Sequence, residues 1–188
     1  LSACTTARPA GPIEVTRFIA PDSRAQLGDT TLRVETAPGS SEQGLAMLPY
    51  TEAIARELST FGYTENARPA ARQLASVSVE REQLTEGGRR SPVSVGAGGS
   101  AGSYGGGVGL GVGINLGGGA DERVITRLSV SLRDVTSGTV LWEGRARLDA
   151  PVGSRLAQND AAAAALAEAL FRGFPGNSGE TIEVEVNP

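Results

Sequence analysis

The chain has no histidine and no lysine, a single cysteine, and only 4% aromatic residues among its 188. The missing histidine removes the commonest general base and metal ligand, which excludes Ser-His-Asp and Cys-His hydrolases and histidine-based zinc sites. Without lysine there is no P-loop lysine, no Schiff base and no Ser-Lys dyad. All 17 basic residues are arginine, against 21 carboxylates, for a formal charge of -4. That balance supplies no broad positive field, so neither nucleic acid nor an anionic surface is an electrostatic partner. Chemistry would rest on carboxylates, arginine or tyrosine alone, and the expectation is a protein that is not an enzyme and takes no cofactor or metal.

What is present begins with Leu1-Ser2-Ala3-Cys4. This stretch resembles a bacterial lipobox, in which cleavage before the cysteine leaves it to carry lipid. The resemblance implies lipidation at Cys4 and a membrane partner reached through that lipid. The charged and apolar parts of a signal peptide are then expected before Leu1. Residues 5–12 follow as a small, proline-containing tether, so that 1–12 form a lipobox remnant and linker. Thr5, in place of an aspartate, matches the sorting rule for the outer membrane, facing the periplasm. No stretch is long and apolar enough to cross a bilayer as a helix.

Beyond the tether, alternation predicts strands at 13–19 (Ile13, Val15 and Ile19 on one side) and 31–36 (Leu32 and Val34). Residues 49–63 space Tyr50, Ile54, Leu58 and Phe61 along one helical stripe, closed by Gly62 in a left-handed cap. Residues 71–81 turn Ala75, Val77 and Val79 to one side as a third strand.

The hairpin at 123–149 has its apolar residues at even positions: Val124, Leu128, Val130 and Leu132, then Val140, Trp142, Ala146 and Leu148. Even must pair with even. A three-residue loop, Thr136-Ser137-Gly138, with Gly138 left-handed and a bulge beside it, is expected to deliver that register and set Leu132 against Trp142. The other face carries Arg127, Arg133, Glu143, Arg145 and Arg147; a solvated surface is its simplest meaning, and Arg127, Arg145 and Arg147 are its candidate binding residues. A second helix follows Pro151, with Asn159 or Asp160 as cap, Leu166, Leu170 and Phe174 as stripe, and Gly173 and Pro175 as stop. Its alanine run fits close packing on a sheet and helix propensity equally. Residues 176–188 are open between an edge strand and an acidic tail.

Half of the 26 glycines fall in residues 96–119. A phosphate cradle is excluded there, because the segment has no lysine and leads into no helix. Val108, Leu110, Val112, Ile114 and Leu116 alternate with Gly109, Gly111, Gly113 and Asn115, which is strand periodicity with one bare face. A strand of the soluble sheet is expected at 108–116, with 96–107 a mobile loop; the length also suits a transmembrane strand.

The lipobox, the helix "YTEAIARELSTFGY", the glycine-rich insert, the hairpin "DVTSGTVLWEGRA" and the closing "ALAEALFRGFP" occur in one order over residues 13–175. In that order the chain resembles envelope lipoproteins of the family called domain of unknown function 4136. The resemblance implies a single α+β domain, a mostly antiparallel sheet with two helices on one face. It brings no catalytic residues. It implies a lipid-anchored Gram-negative envelope protein, and the function expected for it is a module that binds or scaffolds a protein, glycan or lipid partner, with a homo-oligomer possible. The alternative is a subunit of an outer-membrane export or pore assembly that uses the glycine-rich hairpin.

Overall fold

In the computed structural model, residues 9–66, 71–85, 89–92 and 122–186 are described. Cys4 and the glycine-rich insert 96–119 lie outside them.

The described residues form one α+β sheet with two helices packed on one of its faces. Strands β1 (Ile13–Ile19) and β2 (Thr31–Thr36) match the alternation read from the sequence, and helix α1 (Leu48–Ser59) follows. Next come β3 (Thr64–Glu65), β4 (Gln73–Thr85), β5 (Arg89–Pro92), β6 (Arg123–Asp134), β7 (Val140–Pro151), helix α2 (Asn159–Phe171) and β8 (Glu180–Val184). The sheet has eight strands in the order β3-β2-β4-β6-β7-β1-β8, with β5 also on β4. Since β6 runs along β4 from Gln73 to Leu84, β2 and β5 share the opposite edge of β4.

The expected mostly antiparallel sheet is corrected here: it is mixed. β2 lies parallel to β4 and to β3. The cause is α1, which carries the chain back along the sheet before β4 begins, a crossover that makes the flanking strands parallel. Periodicity reports which face a residue takes, and strand direction leaves no mark in it.

Tyr50, Ala53, Ile54 and Leu58 of α1 are buried, as are Leu166, Leu170 and Phe171 of α2. Beneath them lie Ala75, Val77 and Val79 of β4, Leu128, Val130 and Leu132 of β6, and Trp142, Ala146 and Leu148 of β7. Gly62, at φ +82°, ends the first helix as expected. The second helix corrects its expected cap. Its N-cap is Gln158, without a side-chain cap bond, and neither Asn159 nor Asp160 takes that position.

Leu132 faces Trp142 as the even-to-even pairing requires. The turn that achieves this differs from the expected three-residue loop. Asp134 N–H donates to Thr139 O at 2.9 Å and Gly138 N–H to Asp134 O at 2.9 Å, so four residues lie inside the closing pair. A register shift between Leu132 and Arg133 takes up the extra residue and leaves Leu141 buried. Asp134 favours the longer loop: its Oδ1 accepts from Thr136 N–H (3.0 Å), Ser137 N–H (2.7 Å) and the Ser137 hydroxyl (3.0 Å). Those bonds, Ser137 N–H first, hold the Asp134 carboxyl below its ordinary range. Gly138 sits at φ +72°.

The choice left open for the C-terminus resolves to a strand. β8 pairs antiparallel with β1, Ile13 opposite Val184 and Val15 opposite Ile182, and turns its free edge outward with Glu183 and Glu185 exposed.

Candidate functional site: the uncovered face of the sheet

With both helices on one side, the outward residues Ser76, Ser78, Ser129, Ser131 and Glu143 of β4, β6 and β7 are left half-buried and Arg145 exposed. Period two sorts them strictly. Ser76 and Ser78 of β4 stand opposite Ser131 and Ser129 of β6, which in turn stand opposite Glu143 and Arg145 of β7. Four small hydroxyl side chains therefore form a floor, and long charged ones stand around it. The resulting open depression holds about 440 Å³, with Glu35, Arg133, Glu143 and Arg145 at its rim and Ala37, Pro38 and Leu74 along one side.

The three candidate arginines lie on this face, as the alternation predicts, but they are not equivalent. Arg127 and Arg147 are register partners. Each is occupied by a carboxylate: Arg127 Nη1 lies 3.1 Å from Glu82 Oε2, and Arg147 reaches Glu14 Oε2 at 3.5 Å and Asp149 Oδ2 at 3.6 Å. Arg123 also bonds Asp149, and Arg33 bonds Glu35. Arg145 is exposed and makes no ion pair among the described residues; the same holds for Arg133 at the rim. These exposed pairs each contribute ~0–1 kcal/mol, so they set orientation more than stability. The site reduces to a hydroxyl floor with Arg133 and Arg145 available to an acceptor and Glu143 available to a donor, an arrangement suited to hydrogen-bonding a polar partner.

The serines and Arg133 were absent from the candidate residues drawn from the sequence. Ser76 and Ser78 alternate with Ala75, Val77 and Val79 as plainly as Arg127 alternates with Leu128. That the serines of β4 meet those of β6 follows only from strand order. Among the described residues no group of three Asp, Glu, His or Cys side chains could hold a metal ion, and no helix is long and apolar enough to cross a membrane.

A second concentration of polar groups lies on the helix side, where three elements meet. Arg81 of β4 and Glu42, in the segment before α1, are buried beside Tyr50 of α1. An Arg81 Nη2–H donates to the carbonyl of Ala157, in the turn that leads into α2. Arg81 Nε, Tyr50 Oη and Asn159 Oδ1 are enclosed with no hydrogen-bond partner among the described residues. Burial raises the Glu42 carboxyl above its ordinary value, with Arg81 opposing. Burial likewise pushes the Tyr50 phenol up to about 12, against the pull of the Arg81 charge.

The chain belongs to the family described as domain of unknown function, DUF4136, whose model matches residues 34–176. No curated protein matches it in sequence. Among solved structures it is similar to the PelC dodecamer from Paraburkholderia phytofirmans and to a single-site variant of it, each at 16% identity and a TM-score of 0.50. Each of these alignments covers 85% of this chain and 94% of PelC. It is also similar to a PDZ domain protein from Parabacteroides distasonis, at 11% identity and a TM-score of 0.52. There 93% of this chain is covered and 38% of the other, so the likeness spans about two fifths of that protein. At such identities the shared property is the fold.

Proposed function

We propose that this DUF4136 chain is a non-catalytic binding or scaffolding module of the Gram-negative envelope, held to the outer membrane by acyl chains on Cys4 and acting in several copies. The observation that carries the binding role is the outer face of β4, β6 and β7, where Arg145 and Arg133 stand beside a floor of serines and make no ion pair among the described residues. Paired charges on a surface are ordinary; an unpaired arginine over small hydroxyls is a place where a partner gains charge-assisted hydrogen bonds without displacing an internal one. Self-assembly is supported by the likeness to PelC, which forms dodecamers. Lipidation is supported by the lipobox-like Leu1-Ser2-Ala3-Cys4.

Affinity capture of the native lipidated protein, wild type beside Arg145→Glu, tests the binding role. A partner retained by the wild type and lost from the variant supports it; partners that are identical for both proteins refute it. Light scattering on the purified protein tests assembly, with a mass several times the 19.2 kDa of one chain as the supporting result.

A second reading, the export or pore subunit, is favoured by one specific observation. Pro92 and Glu122, the residues that flank the glycine-rich stretch, both stand at the end of the sheet where β4 finishes and β6 begins. Amide exchange distinguishes the two. Protection of 108–116 in the delipidated monomer supports a strand of the soluble sheet, whereas protection that arises only in bilayers supports the pore.

A further inference from the structure

β8 is the last strand of the sheet, and β1 bonds one of its sides. Alternate residues of an antiparallel strand turn their N–H and C=O groups to one neighbour, and the residues between turn theirs the other way. The second row of β8 therefore faces outward, with no strand on it among the described residues. Such a row is where an extended segment adds to a sheet.

Period two sorts the side chains of this edge. Ile182, Val184 and Val186 lie on the helix side, Val184 buried and the other two half-buried against the core. Thr181, Glu183 and Glu185 are exposed. On the helix side a groove of about 160 Å³ runs between β8 and α2, lined by Leu156, Ala165, Ala169 and Val186, with the exposed Glu168 and Arg172 beside it. The helix presents alanines here, and their small side chains leave the room. Glu168 and Arg172 hold each other at 3.3 Å.

A strand added ~4.8 Å outside β8 would send every second side chain toward this groove. The side chains between would lie beside Glu183 and Glu185, neither of which makes an ion pair among the described residues. That charge selects the occupant. β8 of a second copy would set glutamate against glutamate, which destabilises a strand pair. β3, at the far end of the sheet, is two residues long and ends in Glu65, and β5, Arg-Arg-Ser-Pro, has two arginines in succession and no apolar residue to alternate with them. We infer that the free edge of β8 and the groove along α2 form a second binding site, which takes an extended segment of another protein in which apolar residues alternate with arginine or lysine. Main-chain hydrogen bonds to β8 hold the segment, its apolar side chains enter the groove, and its basic ones meet Glu183 and Glu185. The site stands apart from the serine floor and does not rest on it.

The test uses the purified full chain and a labelled peptide, acetyl-Val-Arg-Val-Arg-Val-Arg-Val-amide, at physiological ionic strength. Fluorescence anisotropy should show saturable binding, and the same peptide with glutamate for arginine should bind about tenfold more weakly, because two cross-strand pairs turn repulsive. The double change Glu183→Arg with Glu185→Arg, at two exposed positions, should reverse that preference. Peptides N-methylated at every valine or at every arginine separate strand addition from plain charge attraction: one of the two should lose binding and the other keep it, since a single row of N–H groups faces β8. Amide protection at 180–186 should rise when peptide binds. Equal affinity for the basic and acidic peptides, the same outcome for both methylated forms, or unchanged protection at 180–186 overturns the inference. So does a wild-type mass of several chains that falls to one chain in the double variant, because a second copy would then occupy the edge.

Discussion

Two buried arginines sit near opposite ends of α2 and meet opposite conditions. Arg17 of β1 lies at the C-terminal end, where its Nε and Nη2 donate to the carbonyls of Leu170 (3.0 Å) and Ala169 (3.2 Å). Those carbonyls are the groups a helix end leaves unpaired, and a cation is favoured there by the helix dipole. Arg81 lies at the N-terminal end, where the dipole disfavours a cation, and its Nε has no partner among the described residues. Around Arg17 the aromatic residues collect: Trp142 stacks on Phe171 at 5.4 Å, Phe174 meets both, and Phe61 closes the group at 5.0 Å from Phe174. Trp142 Nε1–H finds Pro175 O at 2.9 Å. The contrast teaches that one end of the core is closed by satisfied polar groups and aromatic packing, while the other holds buried polar atoms whose bonding is incomplete.

The largest break in that comparison comes from Trp142→Ala, which should destabilise the domain by ~3–5 kcal/mol in urea titrations because it empties the centre of the aromatic end. A loss below about 1 kcal/mol would dissolve the distinction. Gly144→Ala follows. A Cβ there would stand 2.2 Å from Trp142 Cη2 and 2.8 Å from Leu170 Cδ1, and the forced shift should cost ~1–3 kcal/mol. An unaffected midpoint would show that the indole has room to move.

At the polar end the expected effects are smaller, and one depends on pH. The folded Glu42 carboxyl titrates above its unfolded value because burial penalises its charge, despite Arg81. Its contribution is therefore fully present below the unfolded value and is lost as pH rises through the folded one. Glu42→Gln should remove that slope, so the variant gains on wild type as pH climbs out of the acid range. A wild-type stability that rises through the same window as steeply as the variant's would contradict the assignment. The smallest effect is expected for Tyr50→Phe. Its hydroxyl is buried without a hydrogen-bond partner among the described residues, so stability should stay within ~0.5 kcal/mol. A loss above 1 kcal/mol would mean that the hydroxyl is bonded, and the two ends would then be alike.

These residues also mark how far the sequence could be read. Trp142 opposite Leu132 was legible because the apolar residues Leu128, Val130 and Leu132 of one strand and Trp142, Ala146 and Leu148 of the other take even positions, and an even-to-even register sets them on one face. Arg127, Arg145 and Arg147 shared a face for the same reason. That Arg127 is held by Glu82 and Arg147 by Glu14 depends on β4 and β1 lying on either side of the hairpin, and local pattern carries no strand order. Arg17 and Arg81 occupied inward positions of otherwise regular strands. Their charge argues for solvent until the end of a helix, also absent from local pattern, supplies the carbonyls. The parallel placement of β2 was hidden in the same way.

The pairing of β1 with β8 joins the first and last strands of the domain, Ile13 with Val184. Contacts of such sequence separation form late, because the entropy of closing the intervening chain must be met before they contribute. During synthesis β7 can pair with one edge of β1 first, and the other edge waits, its ladder groups unpaired, until Glu180–Val184 has emerged. Until β8 arrives, that edge is a template on which any other extended strand, from this chain or another, can pair.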